Sequence, residues 1–335
     1  MKNVSRLVLS AALLLLTIPV AAMSQVQTMD EIPLGGSSGT AALSAMTTVG
    51  TMADGTASET TSTAASATGP EAVAFDGTYI WIATQFDDRL TRIRVSDRSV
   101  AGTFTVGKRP VALLYAGSYV WVANLLGNNV MKINPATGAV VGSFAAGDGP
   151  GGLAYDGTNI WVANRNSNNV TKLRAKDGAR LGTFAVGKRP ISLISDGNTI
   201  WVTNNFGNSV TRLNSSGAVV GTYKVGRGPF GIAYDGQNIW VTNYFDKSLT
   251  KLRAVDGFQL GTVTVGDGAA GVIFDGANLW VVNNGDNTLM KISASGGAVL
   301  ATYSTGRGPF AVAFDGTRVW VPNFASNSVS TAPAS

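Results

Sequence analysis

Cations and aromatic rings, not the usual catalytic side chains, are what this 335-residue sequence offers for chemistry. It contains no Cys and no His. A disulfide framework, a thiolate nucleophile, a Cys/His zinc site, a His-ligated haem and a Ser-His-Asp triad are therefore excluded. Carboxylates, Tyr, Lys and oxygen-ligated metals remain. Lys108, Arg109, Lys188, Arg189, Arg227 and Arg307 occupy equivalent places in a repeated unit, and Arg165 stands alone at another. Phe206, Tyr244, Phe245 and Phe324, with Phe86, fall in a second set of loops, and Phe230 and Phe310 follow a Gly-Pro pair. Such groups contact anions and stack on planar ligands. Asp87, Asp88, Asp148, Asp246, Asp267 and Asp286 share these loops, but no D-x-D-x-D-G run supports Ca²⁺. No metal and no cofactor is expected.

A sevenfold repeat must position these residues. Trp81, Trp121, Trp161, Trp201, Trp240, Trp280 and Trp320 are 40, 40, 40, 39, 40 and 40 residues apart. One unit reads GPGGLAYDGTNIWVANRNSNNVTKLRAKDGARLGTFAVG. It contains four short β-rich runs separated by Asp-Gly, Asn-Ser-Asn, Asp-Gly and Gly-Lys-Arg-Pro turns. No stretch has helical periodicity. Four strands in a unit of about 40 residues match a propeller blade better than a flat β-solenoid, whose repeats are shorter. The fold expected is all-β, a seven-bladed β-propeller with its strands lettered a to d from the inside of each blade. The d–a and b–c loops then share one face and carry every candidate residue above, most densely around blades 4 and 5.

Positions that recur in every blade are read as structural. The Trp ring packs between blades. Asn124, Asn164, Asn204, Asn243, Asn283 and Asn323, three residues after Trp, satisfy loop backbone groups. Asp76, Asp156, Asp196, Asp235, Asp275 and Asp315 belong to tight turns. Arg92, Lys132, Lys172, Arg212, Lys251 and Lys291 in strand c are expected to lie over the blade edge and pair with acids. The positions that differ from blade to blade are the candidates for binding.

The segments IWVTN (200–204 and 239–243), N-S-V-T-[KR]-L and G-[TS]-[FY]-x-V-G-x-x-P make residues 69–331 resemble the YVTN (YncE-like) β-propeller repeat. The resemblance implies the propeller fold and an exported bacterial or archaeal protein, and assigns no reaction. Virginiamycin B lyase-like propellers are similar in repeat form. Their lyase chemistry uses a His base, which is absent here. A metal-dependent lactonase site would need clustered acids, and beyond the N-terminal segment Glu occurs only at Glu31, Glu59 and Glu71. The expected function is a non-catalytic binding scaffold acting through the d–a/b–c loop face. The enzyme of lyase or lactonase type and the nucleic-acid binder are the alternatives. The partner classes considered are a glycan, an anionic polymer and a protein; nucleic acid is disfavoured, and a monomer is expected.

The N-terminus reads as an export signal. Lys2 and Arg6 precede an apolar run at 7–20, and Val20-Ala21-Ala22 offers small residues for cleavage. Residues 1–22 are the expected signal, 23–68 a Ser/Thr/Gly/Ala-rich tether and 69–335 the propeller. No transmembrane segment is expected once the signal is cleaved, and the destination is periplasm, cell surface or medium. Losing Lys2 and Arg6 reduces the net charge from +5 to +3, so basicity alone does not argue for nucleic acid. The seventh unit lacks its fourth strand, which the tether is expected to supply from 60–66 or, second, from 45–50.

Overall fold

A computed structural model describes residues 26–34 and 68–335. Seven sheets, antiparallel except for one added strand, are arranged as a seven-bladed β-propeller. Blade 1 comprises Pro70–Phe75, Tyr79–Thr84, Arg89–Arg94 and Val100–Thr105. Blades 2 to 6 repeat this order, and blade 7 contributes Ala313–Phe314, Arg318–Asn323 and Ser328–Pro333. Asn205–Gly207 forms a 3₁₀ turn. Among the described residues no helix is long and apolar enough to cross a membrane. The expected signal at 1–22 lies outside the described residues.

Each Trp is buried in strand b. In six blades its ring lies against the cation directly opposite in strand c, as with Lys172 4.8 Å from Trp161 and Lys251 4.6 Å from Trp240. In five blades it also meets an aromatic ring from strand d, 5.4 to 5.8 Å away. Its indole N–H donates to the a–b turn carboxylate at 2.7 to 2.8 Å in six blades. Blade 2 has Ala116 at that place, and its backbone carbonyl accepts from Trp121 at 3.2 Å. The turn Asp thus serves the Trp as well as the turn.

The strand-c cations do not pair with acids as expected. Each reaches backbone carbonyls in the c–d turn of the following blade: Arg92 to Pro135, Lys132 to Ala175, Lys172 to Ser215, Arg212 to Val255, Lys251 to Ala294, and Lys291 to Ala334 near the chain end. The neighbouring turn brings its carbonyls within reach of the cation, whereas acids in these turns are engaged locally, as Asp177 is with Arg174. One residue therefore clamps its own Trp and latches the next blade. Two of the six Asn residues that end strand b satisfy loop backbone groups as expected, whereas the side-chain oxygens of Asn124, Asn204, Asn243 and Asn323 are buried without a partner. Asn164 and Asn283 accept from Gly147 and Gly266 of the d–a loops. Their amide groups donate to side chains in strand c.

Blade 7 has Thr331 opposite Trp320, so it cannot make this latch. Two short strands close the ring instead: β1 (Val26–Thr28) and β2 (Asp30–Pro33). β1 adds in parallel to the outer strand of blade 6, and β2 pairs antiparallel with Ser328–Pro333 as the outer strand of blade 7. Met29 bridges the two and packs into the core between those blades. Ile32 and Leu34 join Ile80, Ile82, Ile93, Trp320 and Val329 at the seam with blade 1. Asp30 accepts from Arg98 in the c–d turn of blade 1 at 2.7 Å and from Arg318 at 3.2 Å. At the seam a carboxylate takes the place of the cation–carbonyl latch. The closing strand thus comes from upstream of 45–50 and 60–66, which lie outside the described residues. Leu34 and Thr68 both hydrogen-bond to Asn327.

The inner strands converge on small residues at their third position. A Cβ on Gly152 would stand 2.1 Å from the Ile191 carbonyl oxygen, and one on Gly231 2.4 Å from that of Ala270. Only small residues let neighbouring blades approach this closely.

Two predictions follow from these contacts. Leu34→Ala should destabilise by about 2–3 kcal/mol, because it empties a buried apolar site. Asp30→Ala should remove at most about 1 kcal/mol, since its carboxylate is solvent-facing. Chemical denaturation of both variants checks the order, and the reverse order would mean that the ion pairs hold the seam. Second, burial pushes the turn carboxyls of Asp156, Asp196, Asp235, Asp275 and Asp315 up, but their hydrogen bonds outweigh it and hold them below the usual Asp value. A depressed folded value means stability present above the unfolded Asp pKa of about 3.9 and lost as pH falls below it. Tm should hardly respond to these groups near neutrality and should fall progressively below about pH 4.

Candidate functional site

The side chains that differ among blades converge where the channel opens on the d–a/b–c face. The loop backbone explains their placement. In all seven blades the residue after strand b donates its N–H to a carbonyl of the preceding d–a loop: Gln85 to Gly69, Leu125 to Arg109, Arg165 to Gly149, Asn205 to Arg189, Tyr244 to Gly228, Asn284 to Gly268 and Phe324 to Gly308. This uniform bond sets seven unlike side chains in one ring. A second ring comes from the second residue of strand a in blades 1 to 6, Glu71, Val111, Gly151, Ile191, Phe230 and Ala270, and from Phe310 at the equivalent place in blade 7.

The d–a residue in that bond has φ between 52° and 70° in every blade. Five blades use Gly, but blades 2 and 4 present Arg109 at φ 57° and Arg189 at φ 52°. A side chain in this left-handed region costs about 1 kcal/mol relative to Gly. Five sibling loops place Gly there, so Arg109 and Arg189 are not the residues that this backbone favours.

The mouth has two unlike sides. Over blades 5, 7 and 1 six rings form a chain: Phe86, Phe324, Phe310, Phe230, Tyr244 and Phe245. Successive centroids are 5.2 to 6.1 Å apart. Phe230 and Phe310 stack across blade 6, whose inner strand offers only Ala270 and Gly271 there. Tyr244 donates its hydroxyl to Asn284 at 2.9 Å, and burial followed by the charge of Asp267 raises its pKa. Over blades 2 to 4 lie Arg109, Arg165 and Arg189. Arg109 donates to Gln85 at 2.6 Å, and the Arg189 guanidinium lies 4.4 Å above the ring of Phe206.

The remaining expected residues take places on the rim. Lys108 pairs with Asp88 at 2.5 Å, and Arg227 with Asp246 at 2.6 Å. Those two cations are partly neutralised. Lys188, Arg189 and Arg307 are exposed and make no ion pair among the described residues. Phe206 and Phe245 are about 60% exposed. The twelve expected residues share a face and are densest around blades 4 and 5, which supply seven of them: Lys188, Arg189, Phe206, Arg227, Phe230, Tyr244 and Phe245. The aromatic chain runs through blade 7 into blade 1, because Phe310 and Phe324 link Phe230 to Phe86. No group of three or more acidic residues is placed to hold a metal ion among the described residues.

Beneath the mouth is a cavity of about 190 Å³. Its floor is aliphatic: Val73, Leu113, Leu153, Leu193, Ile232, Val272 and Val312, one residue from each inner strand. Glu71 and Arg165 are the charged residues in its wall. Arg165 donates from Nη2 to the Gly151 carbonyl at 3.3 Å, while its Nε is buried without a partner. Burial lowers its pKa; Glu71 opposes that, and the charges of Arg189 and Arg109 add to it. Burial raises the pKa of Glu71 against the pull of Arg165 and Arg109. Sequence reasoning missed Glu71 as a site residue. The signal was present, since Glu stands where the other blades have Val, Gly, Ile, Phe, Ala and Phe.

No family model matches the chain, and no curated protein matches it. Among solved structures, hydrazine synthase of Kuenenia stuttgartiensis aligns with a TM-score of 0.74 and 18% identity, covering 84% of this chain and 99% of that one. Virginiamycin B lyase of Staphylococcus aureus aligns with a TM-score of 0.69 and 17% identity, over 79% of this chain and 95% of that one. A chain of the mitotic checkpoint complex aligns at 0.71 and 14%, over 79% and 90%. At these identities the likeness establishes the seven-bladed propeller fold that this chain has in common with them.

Proposed function

We propose that this chain is an exported, non-catalytic binding module, and that its d–a/b–c loop face receives a protein or peptide carrying acidic and apolar side chains. The observation that carries the reading is the position of Arg109 and Arg189 in backbone slots that five sibling blades fill with Gly. Around them Phe86, Leu126, Phe206 and Phe245 are each more than half exposed, on a rim that also carries Lys188 and Arg307. Exposed rings beside unpaired guanidinium groups are the composition of interface anchors. The neighbours differ in what they are said to do: one is a lyase, one a hydrazine synthase, and one belongs to a checkpoint complex. The last supports use of such a fold as a partner platform. A histidine-to-alanine variant of the S. aureus lyase is described as catalytically inactive, and this chain has no His to supply that role.

Assignment to the YVTN (YncE-like) repeat proteins belongs to this proposal and rests on the repeated IWVTN and N-S-V-T-[KR]-L segments. Export belongs to it as well. Cleavage after Ala22 would leave β1, which begins at Val26, and β2 intact for ring closure.

Selection from a displayed random-peptide library tests the binding reading. Peptides enriched in Asp or Glu together with Phe, Trp or Leu should emerge. Phe206→Ala should weaken a selected peptide about tenfold or more. Arg189→Gly should weaken it similarly without lowering Tm, since Gly suits that backbone. Failure to enrich, or enrichment indifferent to both changes, would contradict the reading. Steeply salt-dependent binding of single-stranded DNA, lost on Arg189→Ala with Arg227→Ala, would replace it with nucleic-acid binding.

A further inference from the structure

We infer that the cavity under the mouth is a binding site for a carboxylate borne on an apolar stem, with Arg165 and Glu71 at its head and the aliphatic ring at its floor. The inference deepens the proposed function and rests on its reading of this face as the one a ligand enters. Four observations carry it. The cavity opens on the face where the variable side chains converge. Arg165 reaches it with a buried Nε that bonds to nothing, although a buried guanidinium N–H left unpaired is costly. Glu71 and Arg165 face the same cavity, yet they make no salt bridge among the described residues. The rest of the wall includes Leu153, Leu193, Phe230 and Phe310, which offer a stem nothing but apolar contact.

The charge count selects the ligand. One guanidinium balances one negative charge, and a planar carboxylate fits its donors. A phosphate dianion would meet the same single Arg together with Glu71. A metal cation would find one carboxyl group and a fixed positive charge beside it. Protonated Glu71 can donate to a bound carboxylate, whereas ionised Glu71 repels it. Burial raises the Glu71 pKa, which extends the protonated form upward in pH. The charged groups around Glu71 are Arg165, Arg109 and, next to Arg165, Arg189. Tyr244 is the titratable group of the mouth on the aromatic side. The inner strands of blades 2 to 7 place no ionisable side chain in the cavity wall.

Titration calorimetry with acetate, butyrate and hexanoate tests this on the full chain. Affinity should rise with stem length, and butyramide and sulfate should not compete. Binding should take up protons, read as different heats in buffers of different ionisation enthalpy, and should weaken as pH rises through the Glu71 value. Glu71→Gln should keep binding and abolish that pH dependence. Arg165→Gln should weaken butyrate at least about tenfold. If Arg165→Gln fails to fold, the wild-type proton uptake and the Glu71→Gln profile decide the matter. A peptide ending in Leu with a free carboxylate, measured against its amide, separates the sources. Tighter binding than hexanoate points to a chain terminus, and binding no tighter than hexanoate points to a free acid. Sulfate binding as well as butyrate, no effect of stem length, or no proton uptake would overturn the inference. Selected peptides that bind the rim while every small acid fails would overturn it alone and leave the proposed function standing.

Discussion

A cation lying over a buried indole and reaching a carbonyl of the next blade is the interaction on which this ring depends. Its parts are individually modest, about 0.5–1 kcal/mol for an exposed cation over a ring and somewhat more for a hydrogen bond from a charged group. Repetition makes them a framework. The indole N–H is fixed by the turn carboxylate, so the ring cannot rotate away from the cation. The cation is fixed by the neighbouring turn, so the blades keep their relative angle. Packing around the Trp supplies the apolar burial, and the latch gives that burial a direction.

The same logic explains the seam. A circular sequence of latches needs a last member, and Thr331 cannot be one. The N-terminal strands restore the connection by other means: backbone pairing with two blades, Ile32 and Leu34 in the apolar seam, and Asp30 between Arg98 and Arg318. The two charged ends of the seam therefore have the opposite arrangement to the other six junctions, with the carboxylate arriving from the added strand.

The period of the Trp residues and the turn chemistry between runs were enough to read the fold. They depend on local backbone requirements and on the repetition of one unit, both of which a single sequence displays. Contacts that cross between blades were less legible. The strand-c cations suggested acidic partners, because carbonyl acceptors have no residue signature. β1 and β2 escaped because a three- or four-residue strand such as DEIP does not resemble the G-[TS]-[FY]-x-V outer strand of the other blades. The face of the site was legible from blade-to-blade differences. Its organisation was not: the aromatic chain joins Phe86 to Phe310 and Phe324 across the seam, which only ring closure brings together. Glu71 was passed over as one of few acids, although its position is among the least repetitive in the molecule.

The account divides the basic residues into two populations by whether their place repeats. Lys172 repeats and holds blades together; Arg189 does not, and it occupies a backbone slot better suited to Gly. One melting series tests that division most directly, comparing wild type, Lys172→Ala and Arg189→Ala with and without a peptide selected on the wild-type face. The account predicts that Lys172→Ala melts earlier but keeps the full peptide-induced rise in Tm, and that Arg189→Ala melts with wild type but loses that rise. An early-melting Arg189→Ala, or a Lys172→Ala that loses the rise without melting earlier, would contradict it.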